Sequence, residues 1–218
     1  MPDPLRIAVI DSGVHPDHPH IDADRLLPGL AMGKDGAVVG QDVTDRLGHG
    51  TAVTAAIQHQ TPDAICLPIR VFHDRLSSTA RALVAAIDRA VAERVDLINL
   101  SLGTVNLAHR EVFATAADHA LAAGILIVAA RDNEGTPCYP GSLKQVLGVG
   151  VDWDCPQGDY AIRDGLAFAS GHPRAIPGVP QRRNLFGVSF AVANMTGLIA
   201  RRGRVAPADW LQLAGTSG

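Results

Sequence analysis

The stretch SSTARALVAAIDRAVAERVDLINLSLG (Ser77–Gly103) carries the pattern on which the fold turns. Leu83, Ile87 and Val91 fall at i, i+4 and i+8, the spacing of one helix face, behind a serine that can cap the first turn. At DLINLSLG the period changes to a short apolar run of strand length. A helix that feeds straight into a buried strand is half of a βαβ unit, and the same alternation continues on both sides. Upstream, RIAVI (Arg6–Ile10) reads as a buried strand ending at Asp11, and AICLPIRVF (Ala64–Phe72) as another, bent at Pro68. Downstream come a helix over Ala108–Ala123 closed by Gly124, then the strands ILIVAA (Ile125–Ala130) and QVLGVGV (Gln145–Val151). Short apolar strands alternating with helices predict an α/β fold: a doubly wound, mostly parallel sheet with helices on both faces.

The 218 residues fit one domain, 1–218, large enough to bury a substantial core. With 47% apolar and 19% charged residues the chain is an ordinary globular one. A formal charge of −3, with only short arginine clusters, offers no field for nucleic acid. The longest apolar run, Leu121–Ala130, is broken by Gly124 and too short to span a bilayer, so no membrane role is expected. Cys66, Cys138 and Cys155 form no CxxC pair and leave one thiol over under any pairing. That usage, with no signal-type segment at MPDPLRIAVIDSG, points to a reducing compartment, the cytoplasm.

In open parallel sheets, ligands sit beyond the carboxyl ends of the strands. Asp11 lies at such an end, as do Ser101, Leu102 and Gly103 and the loop RDNEG (Arg131–Gly135). Asp11 alone reads equally as a ribose acid, a metal ligand or a turn former in DSG. His49 is more informative, because glycines on both sides in LGHGTAV leave room around the imidazole. His15, His18 and His20 in HPDHPH could suggest a metal, but the prolines argue for a loop and no metal is assigned. In NLFGVSFAVANMTGLIA (Asn184–Ala200), Ser189 opens an apolar helical run. A serine there is ordinarily a cap; as a nucleophile it needs a base, a group to orient that base, and oxyanion donors.

AVIDSGVHPDH, GHGTAV, LINLSLG, AARDNEG and GVSFA, in that order, resemble the motifs of subtilisin-like serine proteases over about Ile7–Gly197. The resemblance implies Asp11 as orienting acid, His49 as general base, Ser189 as nucleophile and Asn133 as side-chain oxyanion donor. It implies a peptide or protein substrate whose backbone pairs with Ser101–Gly103, and no cofactor. The resemblance further implies that Cys138 borders the pocket for the residue before the cut, with Glu134 at or near its rim; Cys138 stands where the family often has glycine, so a shallow pocket is expected.

The sequence departs from the family in three places. The segment after Ser189 is Phe190-Ala191-Val192-Ala193-Asn194 instead of Met-Ala-Ser/Thr-Pro-His. Ala52 replaces a common histidine, and Asp132 replaces the glycine before the oxyanion asparagine. A carboxylate at Asp132 would oppose an oxyanion unless it points away. Asp11 follows the N-terminus closely, so a minimal core is expected that folds without a propeptide or with a partner protein. The reading is an intracellular serine endopeptidase processing a dedicated peptide or protein, such as a leader peptide; the alternative is a catalytically impaired scaffold that binds peptides. A nucleotide-binding domain is disfavoured, because no G-x-G-x-x-G follows the first strand.

Overall fold

In the computed structural model, which describes residues 4–133, 135–203 and 206–215, side chains of Ile7 and Val9 enter one core and those of Ala8 and Ile10 another. Strand side chains alternate between faces, so an uninterrupted apolar run demands cover on both. The strands are β1 (Arg6–Asp11), β2 (Leu30–Met32), β3 (Val38–Gly40), β4 (Ile65–Arg70), β5 (Leu97–Leu100) and β6 (Leu126–Ala130). They continue with β7 (Asp132–Asn133), β8 (Thr136–Pro137), β9 (Leu147–Val151), β10 (Tyr160–Arg163) and β11 (Leu166–Ala169). The helices are α1 (His49–Gln60), α2 (Ala80–Ala92), α3 (Arg110–Ala122), α4 (Val188–Arg201) and α5 (Pro207–Leu213).

Nine strands form one sheet in the order β10-β11-β9-β6-β5-β1-β4-β2-β3, with β7 and β8 a separate hairpin. The sheet is parallel from β11 to β2, and the outermost strands β10 and β3 run antiparallel. α1, α4 and α5 cover one face through Val53, Ile57, Phe190, Met195, Ile199 and Trp210. α2 and α3 cover the other through Leu83, Ile87, Phe113 and Ala117. The doubly wound α/β architecture expected from the periodicity is therefore the observed one.

Local details differ. The cap of α2 is Thr79, whose hydroxyl accepts the Ala82 N–H, and not a serine; Thr79 sits where the helix geometry puts the N-cap. α3 starts at Arg110 because a short 3₁₀ turn, Leu107–His109, absorbs the residues before it; Gly124 follows in the left-handed conformation, φ +77°. β5 ends at Leu100, so Ser101–Gly103 leave the sheet and run free of it.

Candidate active site

The parallel sheet brings Asp11 to the carboxyl end of central strand β1, fully buried, with Arg70 of β4 beside it in register. His49 is the first residue of α1, and its Nδ1 lies 2.8 Å from Asp11 Oδ1. The same carboxylate oxygen accepts the Ser12 N–H at 2.7 Å, which fixes its orientation. Asp11 Oδ2 is buried and has no hydrogen-bond partner among the described residues.

The two glycines around His49 have distinct reasons. Gly48, the residue before α1, adopts φ +78°, a conformation that carries a penalty for any residue with a Cβ. Gly50 lies against the β1 turn, where a Cβ would come within 2.2 Å of the Gly13 carbonyl oxygen. The Gly50 N–H donates to Ser12 Oγ at 2.8 Å, so the start of α1 is bonded directly to the residue after Asp11. Asp45 completes the mount: Oδ1 accepts the N–H groups of Leu47 and Gly48, and Oδ2 accepts the N–H and hydroxyl of Thr51. A carboxylate at a helix N-terminus satisfies donors that have no partner within the helix and complements the dipole.

These neighbours set the ionisation of the ring. Burial pushes the His49 imidazole down, but its hydrogen bond to Asp11 and the charges of Asp11 and Asp45 outweigh it and hold it above its ordinary value of 6.5. Burial pushes the Asp45 carboxyl up; the hydrogen bonds from Thr51, Leu47 and Ser12 outweigh that and hold it below 3.8.

Ser189 is the second residue of α4, which starts after Gly187 with no side-chain cap, so the hydroxyl does not serve the helix. It donates instead to the Ser101 carbonyl oxygen at 2.9 Å, while the Ser101 hydroxyl donates to the Ser189 carbonyl at 2.9 Å. Behind them, Asn99 Nδ2 donates to Ser101 Oγ at 2.9 Å and Asn99 Oδ1 lies 3.0 Å from the Thr196 hydroxyl. Among the described hydrogen bonds none joins His49 to Ser189. The His49 ring packs on Phe190, centroids 5.8 Å apart.

Asp11, His49 and Ser189 are thus gathered at one end of the sheet, and His49 and Ser189 line the same cleft of about 440 Å³. Ser101, Leu102, Gly103, Asp132 and Cys138 line it too. Cys138 is buried at 4% exposure; burial and the Asp132 charge both push its thiol up. Asp132 Oδ1 accepts the Gly135 N–H at 3.0 Å, so its carboxylate is engaged in its own turn. Asn133 lies on β7, paired in the backbone with Thr136; its side chain and the whole of Glu134 lie outside the described residues.

Asn194, which replaces the family's histidine, is buried and satisfied. Its Nδ2 donates to the carbonyls of Ser170 and His172 and its Oδ1 accepts from Gln60. Four supporting residues were not singled out from the sequence. Ser12 sits inside the AVIDSGVHPDH motif next to Asp11, whereas Asp45 lies just before LGHGTAV with nothing local to mark it out. Asn99 and Thr196 act across 97 positions, a separation that no local pattern shows. All three cysteines are free thiols. Among the described residues no group of His, Cys, Asp and Glu is placed to hold a metal ion, and no helix is long and apolar enough to cross a membrane.

Comparison with known proteins places this geometry in a family. The model of the subtilase family matches residues 4–162, a span that includes Asp11, His49 and Asn133 and ends before Ser189. The minor extracellular protease Vpr of Bacillus subtilis is 28% identical over 180 residues, 74% of this chain and 22% of its own length. An intracellular serine protease of Paenibacillus polymyxa is 27% identical over 220 residues, 90% of this chain and 65% of that protein. The chain therefore spans less than two thirds of these relatives. Among solved structures, a psychrophilic protease superposes with TM-score 0.75 at 24% identity, covering 96% of this chain and 81% of that one. A lanthipeptide protease superposes with TM-score 0.70 at 18% identity, covering 95% and 78%. Those two likenesses are of fold. With more than half of its length matched by the family model, the chain belongs to the subtilase family.

Proposed function

We propose that residues 1–218 form one peptidase domain, a serine endopeptidase in which Ser189 attacks, His49 acts as base and acid, and Asp11 orients the ring. One observation carries this reading: the buried Asp11 carboxylate accepts from His49 Nδ1 at 2.8 Å, and that ring shares its cleft with Ser189. Donation from Nδ1 leaves Nε2 with its lone pair, free to take the Ser189 proton. Ser189 Oγ then bonds to the peptide carbonyl carbon, giving a tetrahedral oxyanion. The proton passes from Nε2 to the leaving nitrogen as the C–N bond breaks, and water attacks the resulting ester by the same route. The Ser189 main-chain N–H at the start of α4 and the Asn133 amide are the assigned oxyanion donors. Extended substrate backbone lies along Ser101–Gly103, and Glu134 and Cys138 border the pocket for the residue before the cut.

The substrate we assign is a dedicated peptide or protein, a leader peptide being the model, handled in the cytoplasm without a cofactor. The three free thiols and the likeness to an intracellular serine protease support that compartment. The leader-peptide assignment takes its model from the nisin leader peptidase NisP of Lactococcus lactis, which shares the fold with TM-score 0.71 at 19% identity, covering 96% of this chain and 82% of that one.

A second reading, an impaired scaffold that binds peptides, is favoured by the Ser189 hydroxyl engaging Ser101 and by Asp132 in the cleft. Labelling with a fluorophosphonate separates the two. The wild-type chain should label at Ser189, while Ser189→Ala and His49→Ala should lose labelling and peptide cleavage by several orders of magnitude. Absence of labelling in the wild type would favour the scaffold.

A further inference from the structure

A second cavity, of about 310 Å³, lies on the other flank of His49 and shares no lining residue with the cleft just described. Its walls come from the β1–β2 connection, from α1 and from the segment before α4. Gly48 lines this cavity and His49 the cleft; Leu185 lines this cavity and Val188 the cleft. The two cavities are therefore neighbours at the start of α1 and at the segment that leads into α4. Ser101–Gly103, proposed to hold the acyl side of the substrate, line the cleft and not this cavity, which assigns the cavity to the leaving-group side.

Its chemistry is selective. Ala52, Ala55, Pro173, Ile176 and Leu185 give it apolar walls. Arg174 enters it half-buried, its NH1 held by the His20 carbonyl at 3.1 Å. Among the described residues no carboxylate pairs with that guanidinium. His15, His18 and His20 add imidazoles and no negative charge. The single acid in the lining, Asp45, has both oxygens taken by the start of α1. A guanidinium without an acid partner above apolar walls matches a carboxylate on an aliphatic stem.

We propose that this cavity is a subsite for an acidic side chain, glutamate above all, within the first several residues after the scissile bond. The proposal rests on the peptidase reading for its direction, and Arg174 is its specificity-determining residue. A short stem such as that of aspartate reaches the guanidinium less well, and a lysine or arginine meets like charge.

The test uses quenched fluorogenic peptides with one fixed acyl side and glutamate or glutamine placed in turn at each position after the cut. The wild-type chain should prefer glutamate roughly tenfold in kcat/KM at one of those positions. In Arg174→Gln that ratio should fall to near one, and in Arg174→Lys it should be partly kept; thermal melting checks that both variants fold. A flat profile, a preference for basic residues, or a glutamate preference that survives Arg174→Gln would overturn the subsite. If the wild type cleaves nothing, the peptidase reading fails, and binding of the same peptides to the Ser189→Ala chain decides the cavity. Glutamate-dependent anisotropy lost in Arg174→Gln supports it, and equal binding of both peptide sets overturns it.

Discussion

Ser101 and Ser189 are bonded to each other twice, each hydroxyl donating to the other's main-chain carbonyl at 2.9 Å. The end of β5 and the start of α4 are thereby fixed together across 88 residues of sequence. For the proposed attack, the Ser189 hydroxyl must turn from Ser101 toward His49, while the Ser101 hydroxyl keeps the Ser189 backbone in place. The Asn99 amide, oriented by Thr196, holds the Ser101 hydroxyl in turn. Thr196 does not line the cleft, so its effect is one of positioning. Thr196→Val should lower kcat by roughly tenfold with KM little changed, and Thr196→Ser should restore it. An equal rise in KM would place the effect in substrate binding instead.

The pH dependence follows from His49. Its raised value means that the neutral ring, the proposed acceptor of the Ser189 proton, becomes the major form only at a pH above 6.5, so the rising limb of kcat/KM should be centred above that value. Asp45→Asn removes one of the charges that raises it and should move the limb to lower pH. Stability should run the other way. Protonated His49 contributes stability that is fully present below 6.5 and is lost as pH rises through the folded value. Asp45, held below 3.8, contributes stability above that value and loses it as pH falls through its folded value. Urea titrations across pH, on wild type and Asp45→Asn, check both.

Removing the Asp45 mount entirely should be felt by the whole fold. Asp45→Ala leaves the Leu47, Gly48 and Thr51 N–H groups without their acceptor, at a cost of about 1–2 kcal/mol in denaturant unfolding. A change within a few tenths would mean that water replaces the carboxylate without loss.

On the oxyanion side, Asn133→Ala should lower kcat by about 10²–10³, the loss that removing the corresponding asparagine causes in subtilisin itself, with KM nearly unchanged. Asp132→Gly should leave the rate unchanged or raise it. A large loss in Asp132→Gly would assign its bond to Gly135 a role in shaping that loop.

Cys138 sets the expected acceptance of the residue before the cut. Its side chain lies in the cleft opposite Gly103, where a Cβ would come within 3.0 Å of Cys138 Cβ. Cys138→Gly should open the pocket and raise kcat/KM for substrates with Phe or Tyr before the cut, relative to Ala. Profiling both chains with one peptide library measures this, and identical profiles would remove Cys138 from the pocket.

The fold was readable because buried parallel strands must be apolar on both faces, and Ile7–Ile10 and Leu126–Ala130 are. That Asp11, His49, Ser101 and Ser189 belong to one candidate site was readable for a similar reason: each sits in a short contiguous motif with glycines or small residues around it. What the sequence withheld are partnerships between distant positions. One acid among the several near His49 becomes the mount of α1, and nothing local singles out Asp45. Thr79 displaces two adjacent serines as the cap because helix phase decides it, and phase is fixed by packing. Arg174 looks like any surface arginine until the chain brings it beside His20, 154 positions away.

The position of α4 in the chain has a consequence for when the molecule becomes dangerous. β1 and the start of α1 bring together Asp11 and His49, the proposed acid and base, but the proposed nucleophile arrives on α4, after the last strand of the sheet. A ribosome delivers that helix late, and it must dock between α1 and strands already paired before Ser189 can face His49. On the proposed assignment, a copy in which α4 has not docked lacks its nucleophile and carries no assembled cutting centre.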